Sequence, residues 1–162
     1  MKSSEIRKLI RRYEKGGKLV AEALRDVPLE VLDRKPAPGK WSIRQLAAHL
    51  ADAEVVGVAR LRTTAAQPGS ALKAYDQDAW ADRLGYEQQA PEQMAKLFRL
   101  LRKTTGVMLR SLPEAAWENR AVHEERGEMS LADFVKLYAE HAEHHAGQIR
   151  ALREQFGAAP AA

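Results

Sequence analysis

Residues 130–157 read SLADFVKLYAEHAEHHAGQIRALREQFG. Leu131, Phe134, Val135, Tyr138, Ile149, Leu152 and Phe156 recur at intervals of three and four or their multiples, the spacing of one buried helical face. Ser130 stands where an N-cap belongs and Gly157 where a helix closes. The stripe is interrupted in its middle. Between Tyr138 and Ile149 its positions are filled by His141, Ala142 and His145, so two imidazoles occupy places that predict bulky hydrophobes. At an i, i+4 spacing the two share a face, with Cβ atoms about 6 Å apart, and can reach one metal ion. The glutamate that accompanies such a pair in the H-E-x-x-H metalloproteases is missing, because position 142 is Ala and Glu143 points off the face. The chain is therefore not a zincin.

Three more amphipathic helices precede this one. The first spans roughly 3–26, with Ile6, Leu9, Ile10, Tyr13, Val20 and Leu24 on its stripe. Gly16-Gly17 predicts a weak or kinked middle, and Pro28 ends it. The second starts at Ser42, where Ser42 and Gln45 form a capping-box pattern, and stops before Pro68-Gly69. The third starts near Pro91 and ends at Pro113. The segments 28–40, 69–89 and 114–129 read as long connections without strands, the first with room for one helical turn at Leu29–Leu32 and the middle one carrying a short helix. Four helices, each with one apolar stripe, predict an all-α four-helix bundle. The long connections permit crossovers between helices. A single domain over 1–157 is expected, followed by a disordered Ala/Pro tail at 158–162.

Composition narrows the chemistry. The 162 residues include five histidines and no cysteine, which excludes disulfides, thiolate zinc sites, iron–sulfur clusters and a cysteine nucleophile. Any metal must be held by His, Asp or Glu. The chain is 45% hydrophobic and 30% charged, as expected of a globular protein, and the 6% aromatic content favours helix over sheet. No apolar run is long enough for a membrane span and no signal peptide is evident, so a cytoplasmic protein without membrane attachment is expected. Residues 1–40 carry eleven Lys/Arg against six Asp/Glu, which confines the positive excess to the first helix and its loop. Its cations alternate with the apolar stripe and read as a solvated face rather than a nucleic-acid surface.

His49 supplies a third candidate ligand. It lies beside Leu46, Leu50 and Ala53 at the edge of the second helix's apolar face. Three imidazoles converging in a bundle could satisfy one another through Zn, Ni, Cu or Fe, leaving open positions for water or substrate. Asp52, three residues on, could orient an imidazole and is the candidate catalytic carboxylate. His144 falls on a flank, His123 reads as a surface histidine in a polar loop that, at the bundle mouth, could also bring it near substrate, and Arg60, Arg62 and Tyr86 are weaker candidates to line the pocket.

The run Pro38-Gly39-Lys40-Trp41-Ser42-Ile43-Arg44-Gln45-Leu46 through His49-Leu50-Ala51-Asp52-Ala53-Glu54 resembles the N-terminal motif of the DinB-like (DinB/YfiT) superfamily. His141-Ala142-Glu143-His144-His145-Ala146-Gly147-Gln148-Ile149 resembles its C-terminal H-x-x-H-H-x-G-Q-I motif. The resemblance spans about residues 20–156. It implies a four-helix bundle in up-down-down-up order. It also implies a divalent metal, nickel or zinc, on His49, His141 and His145. Relatives of this kind include bacillithiol- or mycothiol-dependent S-transferases and a mycothiol-dependent maleylpyruvate isomerase.

The first function this suggests is transfer of a low-molecular-weight thiol onto a small electrophile, the metal favouring the thiolate. With no cysteine in the chain, that sulfur arrives as a cosubstrate. The alternatives are a metal-hydroxide hydrolase of an amide or ester, with Asp52, Glu54 or His123 as acid or base, and a non-catalytic metal-binding module of a stress response. The expected partner is a small molecule. A homodimer is compatible with the bundle, though no stripe is left over for an interface.

Overall fold

The computed structural model describes residues 1–157; the tail at 158–162 lies outside the described residues. Four long helices form the bundle: α1 (Ser3–Leu24), α3 (Ile43–Ala66), α5 (Pro91–Ser111) and α6 (Leu131–Gln155). Two short helices, α2 (Leu29–Leu32) and α4 (Gln77–Arg83), lie in the connections. α1 packs against α5 and α6, and α3 packs against the same two. The first two long helices thus face each other across the bundle rather than pairing side by side, as the long connections allow.

The ends of the helices follow their sequence signals. The Ser42 hydroxyl accepts from the Gln45 N–H while the Gln45 carboxamide accepts from the Ser42 N–H. Ser130 and Asp133 make the same reciprocal pair at the start of α6. Pro91 opens α5 at the first turn, where its missing N–H costs nothing.

Two expectations are corrected. α1 is continuous through Gly16-Gly17. A Cβ at Gly16 would come within 2.1 Å of the Arg102 guanidinium and 2.8 Å of the Ala142 Cβ, so this glycine makes room for a neighbour rather than a kink. The segment 114–129 is not strandless. β2 (Arg120–His123) and β3 (Gly127–Ser130) form an antiparallel hairpin, and β1 (Ala71–Leu72) joins β2 in parallel. Arg120 to His123 alternate exposed and buried, and Gly127 closes the turn at φ 73°, a conformation glycine adopts without strain. Strands this short carry too few residues for their alternation to stand out in sequence. The sheet ties the 69–89 and 114–129 connections together over one end of the bundle.

Ala48, Ala81 and Tyr86 form a small apolar cluster to one side, and α6 passes between the two larger ones. Phe134, Val135, Tyr138 and Ala139 pack with Tyr13, Leu61, Leu109 and Trp117. Ala142, Ala146, Ile149 and Leu152 pack with Val20, Ile43, Leu50 and Phe98. Where α6 changes from one to the other, the interior turns polar.

Candidate metal centre

His141 and His145 share one face of α6, and His49 meets them from α3. The Nε2 atom of His141 lies 3.1 Å from Nε2 of His49 and 3.0 Å from Nε2 of His145. One ligating atom from each ring lies within 4.8 Å of the others. His49 is 1% exposed and its ring stands 4.7 Å, centroid to centroid, from that of Trp41. Burial holds the rings neutral: it depresses His49 to about 3 and His141 to about 2, and His145 is lowered by the same cause, each ring also opposing a charge on a neighbour.

Three neutral imidazoles cannot satisfy this geometry among themselves. The Oε1 atom of Gln148 lies 2.7 Å from Nδ1 of His145, so Nδ1 carries the proton and Nε2 presents a bare lone pair. His141 has a single Nε2 position with which to answer both neighbours, so one of the two short contacts lacks a shared proton. The Nδ1 atoms of His49 and His141 are buried without a hydrogen-bond partner among the described residues. A cation accepting three lone pairs removes the conflict, and the donor set fits a borderline divalent ion.

The remaining candidates fall differently. Asp52 is held by Tyr86, whose hydroxyl donates to its carboxylate at 2.7 Å; among the described residues it makes no hydrogen bond to an imidazole, and Gln148 takes that position on His145. Sequence alone passes over Gln148, although it stands three residues after His145, within reach on the same helix. Glu54 is buried in an ion pair with Arg102 and is not free to act as acid or base. His144 is exposed and Glu143 turns outward to Arg12. His123, expected at the surface, is 3% exposed, because β2 carries it inward beside Phe134.

A cavity of about 600 Å³ opens beside His141, the middle ring of the cluster. His141, Ala53 and Tyr138 line it from the bundle, Arg60 from further along α3, Tyr75 and Asp76 from before α4, and His123, Glu125 and Arg126 from the hairpin. Tyr138 reaches its place because α3 carries Gly57, where a Cβ would come within 2.6 Å of the tyrosine ring. Arg60 donates to the Tyr138 hydroxyl at 3.2 Å and to the Lys73 carbonyl. Among the weaker candidates, Arg60 therefore lines the cavity, whereas Tyr86 supports Asp52.

A four-helix bundle with three converging imidazoles at the side of a polar cavity defines the class of this protein. Residues 12–149 match the DinB superfamily, and the chain belongs to it. A relative from Oceanobacillus iheyensis is 29% identical over 136 residues, covering 83% of this chain and 78% of its own. One from Bacillus mycoides is 29% identical over 137 residues, covering 85% and 79%. The names of both place them provisionally among metal-dependent hydrolases. Among solved structures, YfiT from Bacillus subtilis superposes with a TM-score of 0.91 at 22% identity, covering 98% of this chain and 91% of its own. It is described as a probable metal-dependent hydrolase with an unusual four-helix bundle topology. A mycothiol-dependent maleylpyruvate isomerase superposes with a TM-score of 0.72 at 12% identity, over 89% of this chain and 60% of its own.

Proposed function

We propose that this protein is a metal-dependent hydrolase of a small amide or ester, with His49, His141 and His145 as the metal ligands. The observation that carries the proposal is the Nε2 cluster, whose lone pairs converge beside a cavity large enough for a small molecule. The relatives' names and the fold shared with YfiT support it. A divalent ion held by the three rings would supply Lewis acidity and a nucleophile at neutral pH. The chain's residues do the rest. Gln148 holds the His145 ring at Nδ1, leaving Nε2 turned towards His141, where it would serve as a ligand. His141, between the other two rings, also borders the cavity and fixes where an electrophile must sit. Tyr138 lines the cavity, and its hydroxyl, which accepts from Arg60, keeps its own O–H to offer a carbonyl or leaving group.

Transfer of a low-molecular-weight thiol is the second reading. It is favoured by the fold shared with the mycothiol-dependent isomerase and by the absence of any cysteine to compete for the ion. One experiment separates the two. Protein purified without a metal-affinity tag is analysed for metals, reconstituted with Zn or Ni, and assayed against ester and amide panels with and without a thiol. About one ion per chain and thiol-independent turnover are expected. Turnover only with thiol selects the second reading, and no metal uptake defeats both.

A further inference from the structure

Beyond His141, the cavity carries a set of groups that the metal centre does not use. His123 closes β2, and its Nδ1 accepts the backbone N–H of Glu125 at 3.2 Å. A neutral imidazole that accepts at Nδ1 keeps its proton on Nε2 and is a donor there. Burial lowers the His123 pKa, and Arg60 and Arg126 push the same way, so the neutral ring is the form present near neutral pH. Arg60 is half-buried and held at two points, by the Tyr138 hydroxyl and the Lys73 carbonyl. That leaves most of its N–H donors unused. Among the described residues no carboxylate forms an ion pair with Arg60.

The carboxylates bordering the same cavity do not cancel this charge. Asp76 is exposed, and one of its oxygens accepts the N–H groups of Asp78 and Ala79 at 3.1 and 2.9 Å, capping α4. Glu125 is exposed as well. Exposed charges are weakened by water, whereas a cation and an N–H donor set further inside act through a lower dielectric. The shape of the donor set also selects. A guanidinium edge with one imidazole N–H matches a planar, singly charged carboxylate, while a phosphate dianion calls for more positive charge.

We propose that Arg60 and His123 form a carboxylate subsite, so that the substrate is a small organic acid whose carboxylate is held here while its electrophilic group lies at His141. The second half rests on the metal-centre reading; the subsite does not. Hexanoate and its uncharged isostere hexanamide are titrated into the full-length, metal-free protein and followed by NMR of the Arg60 Nε–H and His123 ring signals. Hexanoate should bind at least about tenfold more tightly, as expected for a charge-assisted hydrogen bond. It should shift both sets of signals, and Arg60→Gln should remove the preference. Equal binding of the two probes overturns the proposal. So does retained preference in Arg60→Gln, or binding that leaves the wild-type Arg60 and His123 signals unmoved, a readout that does not depend on the variant folding. Hexanoate binding that requires added metal also overturns it, since the carboxylate would then be a ligand of the ion. Metal uptake, measured on the same samples, reports separately on the metal centre.

Discussion

The guanidinium of Arg102 lies against the carboxylate of Glu54 at 2.8 Å, with both side chains 1% exposed. Arg102 comes from α5 and Glu54 from α3. Arg102 also donates to the Tyr13 and Tyr138 carbonyls of α1 and α6, and Tyr13 donates its hydroxyl to Glu54. The guanidinium is sandwiched between the Tyr13 and Phe98 rings, 4.5 and 4.4 Å from their centroids. One ion pair thus joins all four long helices at the level where α6 passes between the two apolar regions, one turn before His141. Burial raises the Glu54 pKa while Arg102 and Tyr13 oppose that rise, so the carboxylate depends on its partners to stay charged.

Removing one partner leaves a buried charge uncompensated. Arg102→Met or Glu54→Leu alone should cost about 3–5 kcal/mol in urea denaturation. The double variant should lose clearly less than the two singles combined. Additive losses would mean that the two groups are not coupled as the structure has them.

The close approach at Gly57 predicts a second stability effect. Gly57→Ala should gain about 1 kcal/mol from helix propensity but lose about 1–3 kcal/mol by pushing Tyr138 aside. A net loss, accompanied by a changed Tyr138 ring signal in NMR, is expected. A net gain in thermal stability would show that the tyrosine moves away at little cost.

Acid should destabilise the metal-free protein well before its carboxylates titrate. His49, His141, His145 and His123 all have depressed pKa values in the fold, with His49 at about 3 and His141 at about 2. An unfolded histidine takes its proton near pH 6.5. As pH falls below that value the unfolded chain binds protons that the folded chain refuses, so stability is full above about pH 6.5 and drains away towards pH 3. Each such ring contributes at most about 1.4 kcal/mol per pH unit. Replacing His141 with Asn should flatten the slope of stability against pH between 4 and 6; an unchanged slope would place the proton uptake elsewhere.

Metal affinity should discriminate between the two residues proposed to support the ligands. Gln148→Ala frees the His145 ring and should weaken Zn binding by about 10–100-fold in a competition titration. Asp52→Ala should change it by no more than a few-fold, because Asp52 binds Tyr86 rather than an imidazole. The reverse order would restore Asp52 as the orienting group. Chelation of a bound ion should lower Tm in the wild type but not in His145→Ala.

The sequence by itself determined the bundle. The apolar stripes, the Ser42 and Ser130 caps and the Pro91 start are local signals, written within a turn or two of where they act. His141 and His145 were legible for the same reason, as an interruption of one helix's period. Tertiary structure decided what lay at long range. Gly16 reads as a weakness within its own helix, but its purpose lies in Arg102 and Ala142, and that of Gly57 in Tyr138, all on other helices. Glu54 read as a free acid until its partner 48 residues away came into contact. The short strands hid their alternation, so His123 looked like a surface residue although pairing with β3 turns it into the cavity. Periodicity records which face of an element is buried, but not what it is buried against, and the candidate site is made of such encounters.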